Sequence, residues 1–223
     1  MGISAARLTG RAMVLVTLLC ALVATDANIP ANAAARRLSL FVLGDSIAGG
    51  SSQGGNGPRG WPSLVARQLG LTLRLDGKGG TGYTTGGRQK GGRPYPQRVA
   101  DAIAAKPDLV IVEGSRNDSG PTRTKAAAVD TLRRLRAGLP HARILVVGPI
   151  YSYPRPIGSH PIDEAVSAAA RKLGMPYVSA VRRGWFTGSA HRYIGSDGVH
   201  PTNAGHAYLA QRIRPELSRL VRT

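Results

Sequence analysis

Three short runs dominate what this chain can fold into. Residues 38–43 (LSLFVL), 109–112 (LVIV) and 144–147 (ILVV) are almost uninterrupted apolar stretches rich in β-branched residues. Such runs suit strands covered on both faces, as in a parallel sheet. The stretch 71–75 (LTLRL) alternates instead, so it reads as a strand with a more exposed face, nearer an edge; Tyr177-Val178 is a weaker fifth candidate. Helical segments separate the runs. One opens at Pro62 and stops at Gly70, and the next follows Pro96, carries Val99 and Ile103, and ends at Pro107. Residues 122–137 align Val129, Leu132 and Leu135 ahead of Gly138, and 162–173 end at Gly174. The last, 203–221, spaces Leu209, Ile213, Leu217 and Val221 helically, with a bend expected at Pro215. Strands alternating with helices predict a three-layer α/β/α sandwich of about five parallel strands. Its active groups are expected on loops beyond the carboxyl ends of the strands.

Residues 1–35 have the layout of an export signal. Arg7 and Arg11 precede an uncharged apolar stretch, 12–24 (AMVLVTLLCALVA), and Ala31-Asn32-Ala33 and Ala33-Ala34-Ala35 are candidate cleavage sites. The stretch is well short of the ~20 residues that cross a bilayer as a helix. Leu19 occupies the place before Cys20 where lipoprotein processing needs a small residue. The expectation is a secreted or envelope-associated protein whose single domain, 36–223, holds no cysteine and depends on no disulfide. With 42% apolar residues in 223, a core of ordinary size is available and disorder is excluded.

Chemistry gathers at three strand ends. The first run leads into Gly44-Asp45-Ser46, which displays a serine at the top of the sheet. The run 109–112 leads into Glu113-Gly114-Ser115-Arg116-Asn117-Asp118. Just before the last helix comes Ser196-Asp197-Gly198-Val199-His200-Pro201. Asp-x-x-His in a turn lets the carboxylate reach the Nδ1 side of the imidazole. Nε2 is then free to take a proton from a serine brought in by the fold.

In these blocks the sequence resembles the SGNH (or GDSL) hydrolases over nearly the whole expected mature chain. The resemblance implies a flavodoxin-like sandwich and an esterase without metal or cofactor. It implies Ser46 as nucleophile, His200 as base and Asp197 as acid, with an oxyanion hole from the Ser46 amide, the Asn117 side chain and a glycine amide. The family glycine follows the second strand. Here Asp76-Gly77-Lys78-Gly79-Gly80-Thr81-Gly82 offers several, with Gly80 preferred and Gly82 in reserve. The partner implied is a small-molecule, glycan or lipid ester of short to medium acyl chain, acetyl included, with a monomer favoured. The alternatives are an acetyl transferase or deacetylase working on cell-wall glycan, and a catalytically inactive cationic protein that binds the envelope.

Other patterns fail on context. Gly77-x-Gly79-x-x-Gly82 follows a strand like a dinucleotide fingerprint, but the glycines and prolines of 86–96 forbid the helix it needs. The spacing from Gly82 to Gly87 mimics a phosphate loop, yet Arg88 and Gln89 stand where Lys and Ser/Thr belong, and Ala48 breaks the G-x-S-x-G elbow. Many aromatic residues fall in expected loops, and Tyr83 or Trp185 is expected to touch substrate. A formal charge of +18 is spread along the chain without a nucleic-acid motif. It points to an anionic cell envelope rather than to nucleic acid.

Overall fold

The computed structural model describes residues 1–2, 36–87, 92–153 and 155–222, so nearly all of the expected export signal lies outside them. By its contacts the chain separates into Met1–Arg36 and Arg37–Thr223, and every element below belongs to the second unit. Five parallel strands form one sheet: β1 (Ser39–Gly44), β2 (Thr72–Gly77), β3 (Leu109–Glu113), β4 (Arg143–Val147) and β5 (Tyr177–Val178). Their order, β2-β1-β3-β4-β5, is the flavodoxin-like one. The alternating run is indeed at an edge, as β2, and the short β5 forms the other edge.

The period of two along each strand divides the apolar side chains between two cores. Leu40, Val42, Leu109, Ile111, Leu145 and Val147 face α2 (Trp61–Gln68) and α6 (Asn203–Arg222). Phe41, Leu43, Val110, Val112, Ile144 and Val146 face α3 (Tyr95–Ala105), α4 (Pro121–Gly138) and α5 (Pro161–Lys172). The continuous apolar runs follow from this double coverage, and every residue of β3 is buried. Truncating Ile111 to alanine is expected to cost about 3 kcal/mol, through lost transfer energy and an unfilled cavity. Urea denaturation at equilibrium checks it.

The helix expected over 203–221 is α6, Asn203–Arg222, with Pro215 inside it. A one-turn helix, α1 (Ser46–Gly49), directly follows β1, because the Asp45 side chain accepts the Ile47 N–H at 2.8 Å and caps it. That turn sets the chain direction just where the serine emerges.

Candidate active site

Ser46 opens α1, so its backbone N–H is a first-turn donor with no acceptor in the helix. Glycine lets this turn approach β2: a Cβ on Gly77 would lie 2.5 Å from Gly49 N and Cα, which are backbone atoms. The last block reaches Ser46 from the far end of the sequence. Gln53 Oε1 accepts the Ser196 N–H at 3.0 Å, and Asn203 Oδ1 accepts the Gly55 N–H at 3.0 Å. These bonds tie the loop after α1 to the loop before α6.

In the 197–200 turn, Asp197 Oδ1 accepts the Val199 and His200 amides, each at 2.9 Å, and Oδ2 lies 2.6 Å from His200 Nδ1. Partial burial pushes the Asp197 carboxyl up, but these bonds outweigh it and hold the pKa down to about 2. An ionised carboxylate at Nδ1 fixes the proton there. His200 Nε2 is left as acceptor, 2.9 Å from Ser46 Oγ. The three residues expected to converge are therefore in contact in the expected order.

The candidate oxyanion donors differ in what already engages them. Gly82 donates its N–H to Thr85 O at 2.7 Å, which removes the reserve candidate. The Gly80 N–H has no acceptor among the described residues, and Gly80 lines the same groove as Ser46, Asn117 and His200. Its φ of +72° is a conformation that favours glycine. Asn117 Nδ2 donates to Thr81 O at 2.9 Å and makes a longer contact, 3.4 Å, to Asp45 Oδ2. The second, loosely engaged N–H is the one available to a developing oxyanion.

The aromatic expectation is corrected. Tyr83 and Trp185 are only 1% and 3% exposed: Tyr83 packs tilted on Tyr95 at 4.9 Å, and Trp185 joins Phe186 in the α2/α6 core. Loop placement alone did not show that these loops fold back onto the cores. Asp118, by contrast, has a role its neighbours concealed. Its carboxylate accepts the Tyr83 and Thr84 amides, each at 2.8 Å, and so anchors the loop after β2 to the loop after β3. Among the described residues, no group of three His, Cys, Asp or Glu is placed to hold a metal ion.

Beneath the serine lie two fully buried carboxyls. Burial drives the Asp45 pKa up to about 6, despite the Ile47 amide and the Arg116 charge. Burial, reinforced by the Asp45 charge and only partly offset by a hydrogen bond from the Asp45 backbone, drives Glu113 well above its ordinary range. A carboxyl raised on folding supports stability below its unfolded pKa and loses that support as pH rises through the folded one. Glu113→Gln, neutral at every pH, is expected to flatten this fall: its melting temperature relative to the parent improves from pH 4 to pH 8. Thermal melts across that range check it.

A flavodoxin-like sheet with a Ser–His–Asp contact chain at its carboxyl edge defines a hydrolase of the SGNH type. A profile of the GDSL-like lipase/acylhydrolase family matches residues 42–208. A GDSL lipase of Mycobacterium tuberculosis is 32% identical over 194 residues, 80% of this chain and 81% of that protein. The chain belongs to the GDSL-like lipase/acylhydrolase family and is an esterase-type hydrolase. Among solved structures it resembles Est24, a carbohydrate acetylesterase from Sinorhizobium meliloti, with TM-score 0.65 and 18% identity, over 83% of this chain and all of that one. It also resembles the M. smegmatis aryl esterase, with TM-score 0.64 and 18% identity, over 82% and 99% of the two chains. At these identities both bear on fold alone.

Proposed function

We propose that this protein is an exported serine esterase that removes short acyl groups, acetyl above all, from polar alcohols through an acyl-enzyme on Ser46. The observation that carries the reading is the unbroken contact chain from Asp197 through His200 to Ser46. A serine hydroxyl is a weak nucleophile at its own pKa, so His200 Nε2 takes its proton as the oxygen attacks the ester carbonyl. Asp197 stabilises the imidazolium so formed. Negative charge on the carbonyl oxygen is met by the Ser46 and Gly80 amides and the Asn117 side chain. Collapse expels the alcohol, which receives the proton from His200, and water then repeats the cycle to release the acid.

The substrate class follows from the groove around Ser46, of about 880 Å³. Among the described residues, seven of its fourteen lining residues are glycine, Ser51, Ser52, Thr85 and Asn117 add polar groups, and Val199 is the one aliphatic side chain. A wall of backbone and hydroxyls hydrogen-bonds a polyol but offers a long acyl chain little burial. In an apolar pocket each buried CH₂ is worth about 0.8 kcal/mol, so affinity would climb with chain length. Here kcat/KM on p-nitrophenyl esters is expected to be highest at acetate or propionate and to fall by octanoate. A tenfold rise from acetate to octanoate contradicts the short-acyl reading.

Export rests on the composition of 1–35, and attraction to an anionic envelope on the formal charge of +18. N-terminal sequencing of protein recovered from the medium or envelope is expected to begin near residue 36. Envelope retention is expected to persist in Ser46→Ala and to vanish in moderate salt.

A further inference from the structure

Arg98, which that mechanism does not use, is 1% exposed in the first turn of α3, beneath the active-site loops. Charged groups this deeply buried persist only when paired and hydrogen-bonded. Its Nε donates to Asp76 Oδ2 at 3.0 Å, and Nη2 lies 2.9 Å from Asp76 Oδ1. The remaining N–H groups reach past that pair. Nη2 also donates to the backbone oxygens of Gly44, at 3.2 Å, and of Asp76, while Nη1 donates to Thr81 Oγ1 at 2.9 Å. One guanidinium thus joins the carboxyl ends of β1 and β2 to the loop that carries Gly80.

Thr81 passes the connection on. Its hydroxyl donates to Lys78 O at 2.7 Å, closing the turn around Gly80. Its carbonyl accepts Asn117 Nδ2 and Ser115 Oγ, each at 2.9 Å. Gly44, the other anchor, is two residues before Ser46, and its carbonyl also accepts the Lys78 N–H at 3.1 Å. Asn117 and Gly80 are therefore each one step beyond Thr81, and Ser46 is two residues beyond Gly44; Arg98 contacts Thr81 and Gly44 directly.

We propose that Arg98 is a positioning residue for the oxyanion hole, holding Gly80 and Asn117 through Thr81 and Ser46 through Gly44. The proposal rests on the assignment of those three donors. A planar fork with fixed donor directions suits this task, whereas a lysine ammonium cannot span Asp76, Thr81 and Gly44 together. Preorganised donors are worth most where charge develops, so loosening them lowers kcat more than it raises KM.

The test uses Thr81→Val, which is nearly isosteric and removes only the hydroxyl link, together with Thr81→Ser, Arg98→Lys and the parent. Sites are counted by titration with a p-nitrophenyl phosphonate, so that misfolded molecules do not enter the rates. For p-nitrophenyl acetate, kcat per titrated site is expected to fall at least tenfold in Thr81→Val and Arg98→Lys, with KM within about twofold. Thr81→Ser is expected to recover most of the loss. The inhibition constant of a boronic acid, whose tetrahedral adduct sets an oxygen in the hole, is expected to rise in parallel with the fall in kcat. A merely structural arginine would lower melting temperature and site count but leave both readouts unmoved. Unchanged kcat per site in Thr81→Val overturns this proposal alone; a parent that the phosphonate does not label overturns the underlying assignment as well.

Discussion

Ser46→Ala is expected to lower kcat/KM on p-nitrophenyl acetate by about 10⁴-fold or more, toward the background of the groove and its amides. The size follows from the step removed. Without Oγ there is no acyl-enzyme, and His200 can only assist water, which is not held at the serine position. The fold is expected to be unaffected, because Ser46 opens a helix capped by Asp45 rather than by its own side chain. A melting temperature within about 2 °C of the parent separates loss of chemistry from loss of structure. Turnover within tenfold of the parent would mean that another group attacks the ester.

Asp197→Asn is expected to cost about 10⁴-fold in kcat while leaving the turn in place. Oδ1 accepts two backbone amides, so the asparagine oxygen must stay there, and its NH₂ then faces His200 Nδ1. A donor at Nδ1 stabilises the tautomer with its proton on Nε2, which can no longer accept from Ser46. The pH dependence gives a second readout. With its pKa lowered to about 2, Asp197 stays ionised across the working range, and its contribution to stability fades as pH falls from its ordinary 3.8 through about 2. The acid limb of the parent's kcat/KM therefore carries no contribution from ionisation of Asp197. A fall of less than tenfold in Asp197→Asn would show that the carboxylate does not set the tautomer.

The readable parts of this molecule were those in which one physical constraint acts over a short stretch of chain. Burial on both faces wrote β1, β3 and β4 as unbroken apolar runs, and the half-exposed edge wrote the alternation of β2. Ser46, Asp197 and His200 stood out because each sits in a compact block where a strand or turn must end. What depends on distant partners was not legible. Gly80 and Gly82 are told apart by tertiary contacts, since the Gly82 amide is taken up by Thr85 O and only Gly80 lines the groove. Tyr83 and Trp185 looked like pocket residues because a loop sequence does not state whether the loop folds inward; both are core. Asp118 and Thr81 act through bonds to loops some 35 residues away. Arg98 did leave a trace: with Tyr95, Val99 and Ala102 it lies on the buried face of α3, where a charged side chain has to find partners inside.

The most direct test is to react the protein with a fluorophosphonate, digest it and locate the adduct by mass spectrometry, with His200→Ala treated alongside. The relay described above predicts stoichiometric modification of the peptide containing Ser46 in the parent, and labelling at least a hundredfold slower in His200→Ala. Modification at another residue, or equal labelling of the two proteins, would contradict it.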